Sequence, residues 1–100
     1  MSLEAFFKPK SVAVIGASRE PRKFGHVIFK NFVDSEFKGK MYPVNPKADF
    51  VLGVRAYARL VDIPSEVDLA IISIPALLVP SAIDECISKN VKARRTRKQR

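Results

Sequence analysis

The segment of this chain best suited to chemistry is Gly16-Ala17-Ser18-Arg19-Glu20-Pro21-Arg22-Lys23-Phe24-Gly25, which follows directly on the apolar run Ser11-Val12-Ala13-Val14-Ile15. A glycine at the end of a strand lets the backbone turn tightly and approach a ligand, and a helix starting beyond it turns free N–H groups and a positive dipole end toward phosphate. Arg19, Arg22 and Lys23 add cations, and Ser18 offers a hydroxyl donor. The spacing is not that of the dinucleotide fingerprint G-x-G-x-x-G: Ser18 stands where the second glycine belongs, and Gly25 comes too late for the third. A second candidate is Lys47, in Val44-Asn45-Pro46-Lys47. At the end of the second strand an NAD-type domain sets an acid against the ribose hydroxyls, whereas a cation suits a ligand with an additional phosphate, such as coenzyme A or NADP.

The other reactive side chains read as structural. His26, the sole histidine, falls in the first turn of the expected helix without a phosphohistidine context, and is expected to be a satisfied helix residue and not catalytic. Cys86 lies on the apolar stripe of a later helix and reads as a core thiol. As the only cysteine it forms no internal disulfide, in keeping with a reducing compartment. Asp84 and Glu85 are neighbours on that helix, point about 100° apart and read as surface charges. No His/Cys cluster has metal spacing and no Ser or Cys has an evident base, so neither a metal centre nor a catalytic constellation is expected.

A sheet must hold these residues in place. Ser11 to Ile15 is continuous, apolar and mostly β-branched, as in a strand buried on both faces of a parallel sheet. Phe24, Val27, Ile28 and Phe32, with Phe29, Val33 and Phe37 one turn round, predict a helix over residues 25 to about 37, stopped by Lys38-Gly39-Lys40. Met41-Tyr42-Pro43-Val44 is a short second strand whose Pro43 argues for an edge. Residues 51–56 read as a small strand or hairpin and residues 60–64 as a helical turn. Asp68-Leu69-Ala70-Ile71-Ile72-Ser73-Ile74 is a further strand, apolar on both faces and ended by Pro75. Val79, Ala82, Ile83, Cys86 and Ile87 mark a second helix, with Pro80 in its first turn and Asn90 as a left-handed cap. Such alternation gives an α/β fold, a parallel sheet with flanking helices.

A composition of 47% hydrophobic and 28% charged residues over 100 positions fits one globular domain and excludes disorder and collagen. The longest nearly apolar stretch, residues 69–79, falls short of the roughly 20 residues of a bilayer-spanning helix. Met1-Ser2-Leu3-Glu4 has an acid where a signal peptide needs positive charge. A cytoplasmic protein without membrane contact is expected. The net charge of +8 does not point to nucleic acid, because residues 92–100 hold six basic side chains and no acid and read as a solvated block. No buried strand can be read after Ala93. The domain is therefore expected to span residues 1–93, truncated before its last strand, with 94–100 a basic disordered tail. The edge of the preceding strand would then lie open and drive self-association.

Phe6-Phe7-Lys8-Pro9-Lys10-Ser11-Val12-Ala13-Val14-Ile15-Gly16-Ala17-Ser18, Tyr42-Pro43-Val44-Asn45-Pro46-Lys47, Leu52-Gly53-Val54, Val61-Asp62-Ile63-Pro64 and Glu66-Val67-Asp68-Leu69-Ala70 occur in order along the chain. Together they resemble the CoA-binding, Rossmann-like domain of NDP-forming acetyl-CoA (acyl-CoA) synthetases, relatives of the succinyl-CoA synthetase alpha subunit. The likeness runs from about residue 3 to residue 93. It implies coenzyme A as the ligand, with the loop matching Gly16, Ala17 and Ser18 against its phosphate. The lysine matching Lys47 meets the nucleotide end, and the segment matching Ile74, Pro75 and Ala76 flanks the ligand. It also implies a holding role. In that family the domain presents the CoA thiol to an acyl phosphate made elsewhere, and the phosphorylated histidine and ATP-grasp portion belong to other parts, so a synthetase partner domain or subunit is implied. A CoA-dependent acetyltransferase carrying the same domain is a second parent of this kind. On the residues alone, an NAD(P)-binding domain of a dehydrogenase or redox sensor is the alternative.

By itself the chain is expected to make no acyl-CoA from acetate, ATP and CoA. A coupled assay of ADP release by the pure protein checks this, and turnover abolished by His26→Ala would refute it.

Overall fold

The computed structural model describes residues 8–97 apart from residue 36. In chain order the elements are β1 (Ser11–Ile15), α1 (Phe24–Asp34), β2 (Lys40–Val44), β3 (Phe50–Val51), β4 (Val54–Arg55), β5 (Leu69–Ile72), α2 (Val79–Ser88) and β6 (Ala93–Thr96), with 3₁₀ turns at Leu60–Asp62 and Ala76–Leu78. The main sheet has the order β2-β1-β5-β6, and all its pairings are parallel. β3 and β4 form a separate antiparallel hairpin. Leu52 and Gly53 both take positive φ at its turn, the conformation that matches a tight two-residue loop to the twist of its strands.

β1 is buried at every position because both of its faces are covered. Val12 and Val14 pack with Phe29 of α1, while Ala13 and Ile15 pack with Ala82 and Cys86 of α2. β5 repeats the division, with Leu69 on the α1 side and Ala70 and Ile72 on the α2 side. This double covering is why both strands read as unbroken apolar runs. β2 lies at one edge, where Pro43 withholds no ladder bond from a further strand. On its outer side it meets Tyr57, whose N–H donates to the Pro43 carbonyl and whose carbonyl accepts from the Asn45 N–H, each at 2.9 Å.

Two expectations are corrected. α1 ends at Asp34, ahead of Lys38-Gly39-Lys40, because Ser35 turns extended and satisfies the last turn itself: its N–H donates to the Asn31 carbonyl and its hydroxyl to that of Phe32. Gly39 is not a helix cap. A Cβ there would collide with the Lys10 carbonyl, so its place is the close approach by which the chain enters β2 beside β1. Phe37 packs edge-on against Phe32 from outside the helix.

The larger correction concerns the strand taken as lost and the tail placed from Arg94. Ala93–Thr96 is β6, paired in register with Leu69 to Ile72. Only Ala93 is buried; Arg94, Arg95 and Thr96 are exposed. A parallel ladder is made by backbone groups, and an edge strand with little packed over it needs no apolar side chains, so the charged sequence forms it. The Ala93 N–H donates to the Asp68 carbonyl at 2.8 Å and the Arg97 N–H to the Ile72 carbonyl at 2.7 Å. The Arg97 guanidinium lies over the Phe24 ring, 5.8 Å from its centroid. The open edge expected of β5 is thus covered. The rest of the expected tail, residues 98–100, lies outside the described residues.

The other end of the sheet is tied by Asp68. Its carboxylate accepts the Lys10 N–H at 2.8 Å and pairs with Lys92 at 3.3 Å, while its own N–H donates to the Ser11 hydroxyl at 2.9 Å. That hydroxyl donates in turn to the Glu66 carbonyl. One residue therefore joins the starts of β1, β5 and β6. The Lys10 hydrogen bond, with help from Lys92 and against the pull of burial, holds the Asp68 carboxyl below its ordinary range. A carboxyl lowered in the folded state stabilises the fold above its unfolded pKa of about 3.9, and that stabilisation is lost as pH falls toward the folded value. Asp68→Asn is expected to destabilise the domain at pH 7 by about 1.5 to 3 kcal/mol, the worth of hydrogen bonds to a charged group. In urea titrations the two proteins should converge as pH falls from the unfolded pKa through the lowered folded one, and an unchanged midpoint at pH 7 would deny Asp68 this role.

Candidate functional site

β1 and β5 lie side by side, yet the connection after β1 leads to β2 on one flank and the connection after β5 leads to β6 on the other. Chains leaving in opposite directions open a crevice at the carboxyl ends of the strands, the place where sheets of this kind bind ligands. Gly16 stands at its base with φ +96°. A Cβ there would collide with the Ser73 carbonyl, and a Cβ at Gly25 would collide with the carbonyl of Gly16. The bare backbone of Gly16 is thus required first by the protein, to bring β1, β5 and the start of α1 together. Gly25 does the packing work of the third fingerprint glycine after all, delivered by a longer loop than the motif allows for. Backbone bonds close the junction: the Gly16 N–H donates to the Val44 carbonyl at 3.0 Å and the Ser73 N–H to that of Ile15 at 2.8 Å.

Above this junction lies a cavity of about 510 Å³. Gly16, Ser18, Lys47, Ile74 and Pro75 all line it, so residues drawn from three separate segments of the sequence meet around one cavity. Ala17 does not reach it; it is fully buried, its N–H donating to the Val14 carbonyl and its own carbonyl accepting from Asn45. Ala76 starts the exposed 3₁₀ turn, and Leu78 from that turn lines the wall instead. Of the loop cations Lys23 lines the cavity, while Arg19 and Arg22 stand exposed outside its wall. The Ser18 oxygen accepts the Glu20 N–H at 3.0 Å, which leaves its proton to donate to a ligand.

The residue that joins these parts is Asn45, which the sequence marks only as part of a turn. Its amide Nδ2 donates to the Ala17 carbonyl at 2.9 Å and its Oδ1 accepts the Lys47 N–H at 2.8 Å. One side chain thereby fixes the Gly16 loop to the Lys47 loop. His26 is a buried helix residue, as expected; its Nδ1 lies 2.7 Å from the Ser18 carbonyl, an acceptor that requires the proton on Nδ1. Cys86 is buried behind the cavity, and burial pushes its thiol up, away from the reactive thiolate. Among the described residues no group of three metal-ligating side chains converges.

Arg59, Ser81 and Glu85 also line the cavity without having been marked as site residues. Glu85 is corrected from a plain surface charge. It lies three residues beyond buried Ala82 on α2, a spacing that turns both toward the sheet, whereas Asp84 faces solvent. The charged residues of the wall are then Lys23, Lys47 and Arg59 against the single carboxylate of Glu85, a surplus that favours an anionic ligand. No described helix is long and apolar enough to cross a membrane.

Residues 10–95 match the family described as CoA binding domain. The chain is 48% identical over 96 residues to the alpha subunit of acetate–CoA ligase (ADP-forming) I of Pyrococcus furiosus, covering 92% of this chain and 21% of that protein. It is 51% identical over 90 residues to acetate–CoA ligase (ADP-forming) II of Archaeoglobus fulgidus, covering 90% of this chain and 13% of the relative. A dinucleotide-forming acetyl-coenzyme A synthetase 1 of Ca. Korarchaeum cryptofilum, solved with phosphate and ADP, superposes with a TM-score of 0.90 at 43% identity, over 93% of this chain and 20% of that one. The chain thus spans about a fifth or less of the length of these relatives.

The two glycines with positive φ separate strain from collision. Gly53→Ala, with open space around its Cβ, is expected to cost about 1 to 2 kcal/mol from backbone conformation alone. Gly16→Ala adds a backbone collision and is expected to cost more than about 3 kcal/mol. Chemical denaturation of both variants measures the difference, and equal losses would mean that the Gly16–Ser73 approach relaxes freely.

Proposed function

This chain belongs to the CoA binding domain family, and from that membership we propose that its crevice holds coenzyme A through the Gly16 loop, Lys47 and the Ile74-Pro75 edge. The observation that carries the reading is the meeting of these three segments on one cavity at the switch point of the sheet. Ser18 donates its free hydroxyl proton and Lys23 its charge to the diphosphate. Ile74 and Pro75 flank the ligand. Lys47, set by the bond of its N–H to Asn45, meets the phosphate-bearing nucleotide end, where an acid would have favoured NAD.

The work of this chain is holding, with no bond made or broken. Its place is in the ligation of acetate, or a similar acid, to CoA, the ADP-forming reaction named for the acetate–CoA ligases to which it is similar. The partner is the remainder of such a synthetase, as a further domain or subunit. Self-association through β5 is withdrawn, since β6 covers that edge. The setting is the cytoplasm, where buried Cys86 stays a reduced thiol.

Calorimetric titration with CoA, dephospho-CoA, NAD and NADP tests the reading. CoA should bind more tightly than either dinucleotide; preference for NADP would favour the redox alternative. A charge-assisted hydrogen bond is worth about 1.5 to 3 kcal/mol, so Lys47→Ala should weaken CoA about tenfold or more, and dephospho-CoA less if the 3′-phosphate is its partner. Equal losses for the two ligands would move Lys47 to the diphosphate or the adenine, and no loss for either would remove it from the site.

A further inference from the structure

One ion pair in the cavity wall has no part in holding the ligand as described. Arg59, just before the 3₁₀ turn Leu60–Asp62, reaches Glu85 on α2, with Nε 3.6 Å from Oε2. Arg59, Glu85 and Ser81 line the cavity of about 510 Å³ and also a shallower depression of about 340 Å³, whose other walls include Asp84 and Ser88. The pair is thus a partition between two spaces. Its partners are unequally placed: the Glu85 side chain is 24% exposed and set into the wall, whereas that of Arg59 is 62% exposed and stands at the rim.

At 3.6 Å the contact is one of charge, longer than a hydrogen bond to a carboxylate. An exposed pair of this kind holds its partners weakly. A phosphate carries more charge than a carboxylate and matches the planar fork of a guanidinium, so it competes for Arg59 with advantage. Among the described residues Glu85 is also the single acid that lines the cavity beside Lys23, Lys47 and Arg59, and a carboxylate beside a phosphate site lowers affinity unless a cation answers it.

Resting on the reading of the cavity as a coenzyme A site, we propose that Arg59 is a further ligand-holding cation kept in reserve by Glu85, and that a ligand phosphate takes the guanidinium from the carboxylate. The exchange removes the partition, so the cavity continues into the outer depression along α2. Glu85 then sets specificity: it disfavours entry of any anion that does not engage Arg59, and it leaves an uncharged arm unaffected.

The test is calorimetric titration of wild type, Arg59→Ala, Glu85→Gln and the double variant with three probes: CoA, inorganic diphosphate and pantetheine. Glu85→Gln should tighten both anionic probes about two- to fivefold, the range an exposed ion pair supplies. Arg59→Ala should weaken them by about fivefold or more. In the Arg59→Ala background, Glu85→Gln should bring a smaller gain, from relief of repulsion alone without the release of Arg59, and pantetheine should respond to none of the changes. Arg59→Lys, which keeps the charge and loses the fork, should fall between wild type and Arg59→Ala, and it serves if the alanine variant fails to fold. An equal gain from Glu85→Gln with and without Arg59, or anion affinities indifferent to Arg59, would overturn the proposal. CoA binding that persists unchanged in all variants would sink the exchange and spare the coenzyme A site. Binding of diphosphate without CoA would sink that site and leave the exchange to be judged on diphosphate, and binding of neither would remove both.

Discussion

The fold depends on the near contact of three stretches of bare backbone at the end of β1. Gly16 presses against the Ser73 carbonyl, and Gly25 presses against the carbonyl of Gly16. No side chain fits between them, and Gly16 holds a φ that other residues adopt only with strain. With these three points together, α1 starts directly over the junction, β5 ends beside β1, and the crevice opens above them. The pairings Val12↔Leu69 through Ile15↔Ile72 run up to this junction, so spreading it by the width of a methyl group would disturb the centre of the sheet.

The cavity above is organised by hydrogen bonds more than by charge. Asn45 joins the two loops that carry Ser18 and Lys47, and His26 pins the Ser18 carbonyl from the helix side. The long cations stand on this framework with their heads toward solvent, an arrangement that avoids the desolvation of a buried charge and leaves them available to an incoming anion. Ser73 is the exception to polar satisfaction: among the described residues its hydroxyl is the buried side-chain atom without a partner.

Charge also explains where reading the chain in order went astray. A run of arginines after Ala93 carries no apolar periodicity, and periodicity is the signal by which a covered strand is recognised. β6 is an edge strand, its three last side chains exposed, and what selects it is the open ladder of β5, a property of another part of the chain. The same reasoning covers Gly39 and the end of α1. A glycine followed by lysine marks a helix stop on local grounds, but the requirement Gly39 meets is the passage of Lys10.

The sequence by itself determined the elements whose covering is written into their own residues: the strands Ser11–Ile15 and Leu69–Ile72, apolar on both faces, and the striped helices that cover them. It also determined the parallel α/β class, and it marked Gly16, Ser18 and Lys47, because glycine, hydroxyl and cation at strand ends have few uses besides a turn or a phosphate; Ile74 and Pro75 were marked by the family resemblance alone. Only the tertiary structure decided what lies between separate segments. Asn45 as the link between two loops, Gly25 as a packing glycine, Glu85 facing Arg59 and the arginine-rich edge strand all depend on distances across the fold, and such distances are set when the sheet assembles, by groups far apart in the chain.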